Sequence, residues 1–372
     1  MLSGGRRRRR RVVVGVATVA LRLHAAGRGP HRRVVAGGAV LALAALLALV
    51  AAPGAAPDPD GTRAGPPPKV FAFVSGLGGA EIRQLQRFGP RIDVIAPNWY
   101  ALDATTGALR VAQGTRPLLD AARRAGVAVW PTVNARTGGS PAWTAPGVQA
   151  RIVRALSAAA HRPGAAGVTL DMEELLPEQG PAFTALVRAA AARVHATGRH
   201  LAVYVSRPGP PSAAVYDWPA LAASADLVLC SGYNEHWAGG PPGPTTTAGG
   251  FGTVLTQALQ LVGPAKAVPV LGAFGYRWSP GSAGQLVSSV EAQRLRTSGA
   301  GTTAIRSDGS ESFRVGSDVV VYETAAGLRA RARAARAAGA RWIGLFSLGR
   351  EPATFWPNLT TARIAHRRAA AR

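Results

Sequence analysis

Cysteine is almost absent from this sequence of 372 residues, in which Cys230 is the single example. One cysteine excludes an intramolecular disulfide framework, and it also excludes a zinc site built from cysteines. His236 has no second metal ligand at a suitable spacing. The sequence therefore predicts neither a metal nor a cofactor.

Acidic residues are scarce as well, since 19 Asp and Glu stand against 43 Lys and Arg and the net charge is +24. Such an excess raises the question of nucleic-acid binding. The excess is dispersed, because residues 1–69 contain 12 basic and 2 acidic residues and the other 303 positions share a net charge of +14. Dispersed charge is typical of a solvated surface, so nucleic-acid binding is not predicted.

The N-terminal region contains an apolar run without a polar face. Arg-rich residues 1–33 precede this run, which begins at Val34 and ends at Ala52, and small residues and prolines follow it. The order is typical of a signal sequence or membrane anchor at 34–56 followed by a Pro-rich linker at 57–69. Because the arginines stay in the cytoplasm, we expect an extracytoplasmic protein that is secreted or anchored to the membrane through this segment alone.

The remaining chain alternates short apolar runs with helical stretches, which is the pattern of parallel β/α units. Eight such units in residues 70–360 predict a TIM (β/α)₈ barrel. A doubly wound open sheet is the competing fold, but no Gly-rich phosphate loop follows any strand to favour it. The eight predicted strands are Val70–Ser75, Ile92–Pro97, Val127–Val133, Gly167–Glu173, Leu201–Ser206, Leu227–Gly232, Val268–Ala273 and Trp342–Leu348.

The interval between the seventh and eighth strands is longer than one helix needs. Three short apolar runs in it, broken by Asp308-Gly309-Ser310, predict a small α+β insertion at about 279–325. Residues 361–372 then form a basic tail.

The fourth strand carries the residues of greatest chemical interest. Because side chains alternate along a strand, Thr169, Asp171 and Glu173 share one face, which is predicted to point into the barrel. The Cα atoms of Asp171 and Glu173 are then about 6–7 Å apart, so the ionisation of one carboxyl group raises the pKa of the other. One of the two can therefore stay protonated and act as a general acid. The alternatives are that these acids cap the following helix or pair with arginine. Glu174 and Glu178 are expected to face solvent.

The fourth strand also resembles a known signature. Gly167–Glu173 is similar to the D-G-x-D-x-D-x-E motif of glycoside hydrolase family 18, with Ala166 and Thr169 in place of the first two acids and with Asp171 and Glu173 kept. Segments in the family's order support the resemblance over roughly residues 70–356, and the sixth-strand segment is most similar to the spore-germination and cortex-lytic branch. These segments are Ser231–Pro244, Gly272–Trp278, Val319–Glu323 and Gly344–Glu351.

This resemblance implies a substrate-assisted, retaining glycosidase that acts on a glycan with N-acetyl groups, such as peptidoglycan or a chitin-like polymer. By position, Glu173 would protonate the leaving oxygen, Asp171 would stabilise the oxazolinium, and Tyr233 would hold the acetamido oxygen. Thr169 and Asn234 each replace a family Asp in the substrate-binding region, which removes negative charge without removing the acid. The aromatic residues at predicted strand ends would either stack on sugar rings or belong to the core; they are Trp99, Tyr100, Trp278 and Phe346.

Two non-catalytic functions are open at this point. The same barrel could bind carbohydrate or cell wall with little or no turnover. A basic adhesion protein could instead attach to anionic wall polymers through Arg329, Arg331, Arg333, Arg336 and Arg341. The sequence predicts no oligomeric state.

Overall fold

The computed structural model describes residues 66–364 apart from positions 77, 113–114, 210 and 300–304. The predicted segments 1–33 and 34–56, most of the linker 57–69 and most of the basic tail lie outside these residues. None of the described helices is both long enough and apolar enough to cross a membrane.

Sixteen strands are present in the described residues, and most of the predicted barrel strands agree with them within two residues. In chain order they are β1 Lys69–Val74, β2 Val94–Pro97, β3 Tyr100–Leu102, β4 Leu109–Val111, β5 Ala128–Val129, β6 Thr132–Arg136, β7 Gly167–Glu173, β8 His200–Val205, β9 Leu227–Ser231, β10 Ala267–Gly272, β11 Phe274–Trp278, β12 Gln285–Ser288, β13 Ile305–Ser307, β14 Ser310–Val315, β15 Asp318–Glu323 and β16 Trp342–Phe346.

Eight helices lie between these strands. They are α1 Gly79–Phe88, α2 Arg116–Ala125, α3 Pro146–Ala160, α4 Gly180–His195, α5 Trp218–Ser224, α6 Ala248–Leu261, α7 Ser289–Thr297 and α8 Ala325–Ala337. Short side chains fix several of their starts: Asp217, Thr247 and Thr324 each accept a hydrogen bond from the backbone N–H three residues later. Gly126 ends α2 in the left-handed conformation.

The first sheet closes into the predicted barrel. Its order is β4-β3-β6-β7-β8-β9-β10-β16-β1-β2-β5, and β5 and β6 are two parts of one strand. Proline has no N–H group to donate, so the ladder is interrupted at Pro131, between these parts. β5 pairs with β2 and β6 pairs with β7, both in parallel. The two ends of the sheet therefore meet.

Two apolar layers hold the barrel together. Between strands and helices lies an outer layer that includes Leu170 and Met172 of β7 together with Phe183 of α4. Inside the barrel lies a second cluster, to which Phe71 and Tyr204 belong. The polar face of β7 therefore points inward, as its alternation predicts.

The insertion after the seventh strand is also present. It is a five-stranded antiparallel sheet with the order β12-β11-β15-β14-β13, accompanied by α7. It begins at Phe274, five residues before the predicted start, because the chain continues from β10 into β11 with only Ala273 between them.

A buried ion pair joins the insertion to the barrel. Arg331 of α8 lies 2.9 Å from the Glu323 carboxylate of β15, and both side chains are almost fully buried. Ser310 donates a hydrogen bond to the other carboxylate oxygen of Glu323, Oε1, at 2.5 Å. Arg331 is thus an internal residue, so the arginine cluster considered for wall adhesion loses one of its members.

Candidate active site

A cavity of about 320 Å³ opens at the carboxyl ends of the barrel strands, and we refer to it as the inner cavity. Active sites of (β/α)₈ barrels lie at this end. The lining residues come from β1, β6, β7, β8 and β16, the loops after β2 and β9, and the insertion. They are Phe73, Asn98, Asn134, Arg136, Asp171, Glu173, Tyr204, Tyr233, Asn234, Phe274, Tyr276, Leu286 and Phe346.

Asp171 has one satisfied and one unsatisfied carboxylate oxygen. Asn134 donates a hydrogen bond to Asp171 Oδ2 at 2.9 Å. Oδ1 is buried and has no hydrogen-bond partner within the described residues. Burial raises the pKa of Asp171 to about 7, with a further increase from the charge of Glu173. Asp171 Oδ1 is therefore free to accept a hydrogen bond from a ligand.

Glu173 lies beside it on the same face of β7. Its side chain is 28% exposed, and Arg136 Nη2 lies 3.3 Å from Oε2. Burial raises the pKa of Glu173, and the Arg136 charge opposes this increase. Because the pKa values of both acids are raised, the pair retains a proton at a higher pH than two solvated carboxylates would.

Glu174 is exposed, as expected, and it also takes part in the charge pairing of the site. Its backbone φ is +60°, which turns the chain after β7. Although its side chain is 44% exposed, Glu174 Oε1 lies 2.8 Å from Arg136 Nη1. Gly138 N–H donates to its other oxygen at 3.2 Å. Arg136 therefore bridges two consecutive carboxylates, so pairing with arginine does occur here. Glu178 is exposed, as expected.

Tyr233 is 5% exposed and reaches the inner cavity from the end of β9. Tyr204 lines the same cavity. Burial, followed by the influence of Tyr204, raises the pKa of Tyr233 well above its usual range. Tyr233 therefore keeps its proton and can act as a hydrogen-bond donor. Next to it, Asn234 has φ +67°, and its Oδ1 accepts a hydrogen bond from Tyr276 at 3.4 Å.

Thr169 shares the inward face but does not line the cavity. It is fully buried, and its hydroxyl donates to the Trp130 carbonyl at 3.2 Å. The position that carries a carboxylate in the family signature is thus occupied here by a group that hydrogen-bonds the barrel backbone.

Of the four predicted stacking residues, Phe346 lines the cavity, with its ring 5.7 Å from that of Tyr233. The other three are core residues instead. Trp99 and Tyr100 follow β2 and belong to the outer apolar layer, because their rings point toward the helices. Trp278 is 5% exposed and packs against Tyr276, which is the residue that reaches the cavity.

Several lining residues were missed by the sequence reasoning. The predicted third strand ended at Val133, whereas the observed strand continues to Arg136. Extending the alternation by three residues places Asn134 and Arg136 on the same face as Asp171 and Glu173, and their register pairs confirm this: Asn134 with Asp171 and Arg136 with Glu173. Polar side chains at alternate positions were the available signal.

A second cavity of about 660 Å³, the outer chamber, adjoins the first. The two share Arg136, Glu173, Tyr204, Asn234 and Tyr276, so Glu173 stands at their boundary. The other residues of the outer chamber are Glu174, Leu175, Ser206, Arg207, Tyr216, Ser231, Trp237 and Ala238.

Among the described residues, no group of three His, Cys, Asp or Glu side chains is arranged to hold a metal ion. His236 Nδ1 lies 2.9 Å from the Pro241 carbonyl in the loop after β9.

No protein-family model and no curated protein matches the sequence. Solved structures do. The chain is similar to a chitinase from Chromobacterium violaceum, with 22% identity, a TM-score of 0.71, and coverage of 80% of this chain and 99% of that one. This chain has the same fold as that chitinase.

Two further structures extend the comparison. The spore cortex-lytic enzyme SleL of Bacillus cereus is 17% identical with a TM-score of 0.69, covering 80% of this chain and 76% of that one. A mutant family 18 chitinase from Cycas revoluta, in complex with (GlcNAc)4, is 17% identical with a TM-score of 0.66, covering 80% and 99%. The resemblance to glycoside hydrolase family 18 and its cortex-lytic branch is confirmed at the level of the fold.

Proposed function

We propose that this protein is an exported glycosidase that hydrolyses a β-linked glycan containing N-acetylglucosamine by a substrate-assisted, retaining mechanism. The observation that carries the proposal is the pair of Asp171 and Glu173, two neighbouring carboxylates with raised pKa values on the wall of one cavity. The (GlcNAc)4 complex of the similar Cycas chitinase supports the choice of sugar.

In this proposal Glu173 acts from the boundary of the two cavities. Its protonated carboxyl group donates the proton to the glycosidic oxygen, so that the leaving sugar departs as an alcohol. The acetamido oxygen of the remaining sugar attacks the anomeric carbon and forms an oxazolinium ring. Water then opens this ring and returns a proton to Glu173, with retained configuration at the anomeric carbon.

Asp171 and Tyr233 serve the acetamido group. Asp171 Oδ1, which lacks a partner among the described residues, would accept the acetamido N–H. Its negative charge would stabilise the positive oxazolinium in a site with little water. The protonated hydroxyl of Tyr233 would donate to the acetamido oxygen. These roles require the proton that the two acids share to lie on Glu173 at the moment of transfer, with Asp171 ionised.

Substitution of Glu173 tests the proposal. Glu173→Gln is nearly isosteric but cannot donate the proton, so we expect hydrolysis to fall by about 10²–10⁴-fold. Exposed Glu178→Gln is the matched control and should retain wild-type activity. The assay is digestion of purified peptidoglycan and of N-acetylglucosamine oligomers, with product masses measured by mass spectrometry. Wild-type activity in Glu173→Gln would contradict the role of Glu173.

A second candidate function is a carbohydrate-binding barrel with little turnover. The contact of 3.3 Å between Arg136 and Glu173 favours it, because a nearby cation stabilises the ionised, non-donating form of the acid. This candidate would replace the first if wild type and Glu173→Gln bind an N-acetylated glycan equally and neither cleaves it.

Export is the part of the proposal that depends on residues 34–56. Deleting residues 1–56 should leave the protein in the cytoplasmic fraction, whereas the full chain should be found in the membrane or the medium. Cell fractionation followed by immunoblotting measures this. An unchanged distribution after the deletion would contradict the proposed export signal.

A further inference from the structure

The outer chamber differs from the inner cavity in its charge. Besides the shared Arg136 and Glu173, it is lined by Glu174 and Arg207. Glu174 is paired with Arg136 at 2.8 Å. Arg207 follows β8 and is half-buried, and it forms no ion pair with any carboxylate in the part of the chain that the structure describes. With Glu173 protonated, the chamber therefore has one uncompensated positive charge.

Trp237 provides an aromatic surface on the same chamber. Its side chain is 56% exposed, which makes it the most exposed of the large apolar residues described. A Cβ atom at Gly239 would lie only 2.4 Å from the indole ring, so the ring packs closely against the glycine backbone. The glycine thus supports the ring while the ring still reaches the chamber. Such a surface suits the C–H face of a pyranose ring.

The position of Glu173 relates both features to the reaction. A proton donor at the boundary of two cavities places the glycosidic oxygen at that boundary. The sugar that forms the oxazolinium then lies in the inner cavity with Asp171, and its neighbour lies in the outer chamber with Arg207 and Trp237. A neutral N-acetylglucosamine unit would leave Arg207 without a counterion. A sugar with a carboxylate would supply one, because guanidinium groups bind carboxylates through paired hydrogen bonds.

We propose that the outer chamber is a subsite for an amino sugar that carries a carboxylate, with Arg207 binding the carboxylate and Trp237 stacking on the ring. This inference rests on the proposed hydrolase function and specifies its substrate as an acidic glycan of the peptidoglycan type. The carboxylate can come from the lactyl ether of the sugar itself or from an attached peptide.

The test measures kcat/KM of the full chain on three substrates: neutral (GlcNAc)4, a peptide-free GlcNAc–MurNAc tetrasaccharide, and the same tetrasaccharide with peptide stems. We expect Arg207→Gln to lower kcat/KM on a carboxylated substrate by about 10–100-fold, as for a lost charged hydrogen bond. On (GlcNAc)4 it should stay within about twofold of wild type. A loss on the peptide-free tetrasaccharide identifies the lactyl carboxylate, and a loss confined to the peptide-bearing one identifies the peptide.

Arg199 offers the matched control, because it precedes β8 whereas Arg207 follows it, so the two lie at opposite ends of the barrel. Arg199→Gln also removes one positive charge, and it should leave kcat/KM on all three substrates unchanged. Trp237→Ala should lower kcat/KM on all three substrates, since ring stacking does not depend on the carboxylate. Equal losses on neutral and acidic substrates in Arg207→Gln, or no loss on either, would overturn the inference.

Failure of the proposed function would have a different signature. If the wild type cleaves none of the three substrates, the proposed hydrolysis is disproved. Titration calorimetry then measures the binding of the same glycans and tests whether the outer chamber is a subsite for a carboxylated sugar. Weaker binding of only the carboxylated glycans by Arg207→Gln would still support it, and unchanged binding would overturn it.

Discussion

Arg136 is the residue whose influence on the acid can be tested most directly. Its charge lowers the pKa of Glu173, whereas the charge of Glu174 raises it. Glu173 must be protonated to act, so its pKa sets the pH above which activity is lost. Arg136→Met should therefore move the alkaline limb of the pH–rate profile to higher pH. Glu174→Gln should move it to lower pH, because the repulsion is removed and Arg136 is left with Glu173 alone.

The opposite signs distinguish this role from a purely structural one, which would reduce activity at all pH values in both variants. The measurement is kcat/KM on one N-acetylated glycan between pH 4 and 9. Shifts of the limb in the same direction would contradict the role of Arg136.

At this scale alternation predicted correctly that Asp171 and Glu173 share the inward face, whereas the sequence left open whether Trp99 stacks on a sugar or belongs to the core. Alternation within a strand determines which side chains share a face, and β7 retains it along its whole length. Trp99 lies just beyond β2, where alternation no longer applies, so its position at a strand end gave no information on its direction. Whether an aromatic ring belongs to the core or to a site depends on the helix that packs next to it.

At the scale of elements, the connection between the insertion and the barrel depends on Glu323 of β15 and Arg331 of α8. Arg331 also donates hydrogen bonds to the Thr246 and Asp308 carbonyls, at 2.6 and 2.9 Å. Removing one partner of a buried ion pair typically costs about 3–5 kcal/mol. We expect Arg331→Met to lower the free energy of unfolding by about that amount at pH 8.

The loss should be smaller at pH 5. Burial raises the pKa of Glu323 to about 7, so at pH 5 it is protonated and does not need a counterion. Urea denaturation at both pH values measures the difference, and Arg333→Met, an exposed position on the same helix, is the control. The interpretation fails if the Arg331 and Arg333 variants lose equal stability.

The insertion also shows what limits prediction of whole elements. β15 is apolar over Val319–Tyr322 and β14 at Phe313 and Val315, and these short apolar runs were the signal for the insertion. β12 was missed, because its edge position leaves Gln285 and Leu286 exposed and removes the apolar pattern. The third barrel strand was predicted as one run, whereas Pro131 divides it.

At the scale of the whole molecule, three buried acids determine how stability depends on pH. Burial raises the pKa values of Asp171, Glu323 and Glu351 to about 7. The folded state then binds protons more tightly than the unfolded state between about pH 4 and 7, so stability falls as pH rises through this range. Each group contributes on the order of 3 kcal/mol. We expect the Tm to decrease from pH 5 to pH 8.

Other carboxylates act in the opposite direction at lower pH. Hydrogen bonds from backbone amides or neighbouring side chains lower the pKa values of Asp103, Asp226 and Asp318, and the stability they contribute is lost as the pH falls below about 4. Differential scanning calorimetry from pH 3 to 8 should therefore show a maximum in mildly acidic solution. Glu351→Gln should reduce the slope above pH 5, and a Tm that rises from pH 5 to 8 would contradict the expectation.

The chain enters the insertion after Ala273 and returns to the barrel at Thr324. Tyr276 and Leu286, both from this sheet, line the inner cavity, whereas Asp171 and Glu173 belong to the barrel. The proton donor and the wall opposite it are thus encoded in separable stretches of sequence. Exchange of residues 274–322 for another sheet with the same two end points, with Glu323 kept for its ion pair with Arg331, would reshape the inner cavity and leave the acid pair in place, which makes this wall the natural unit for engineering glycan selectivity.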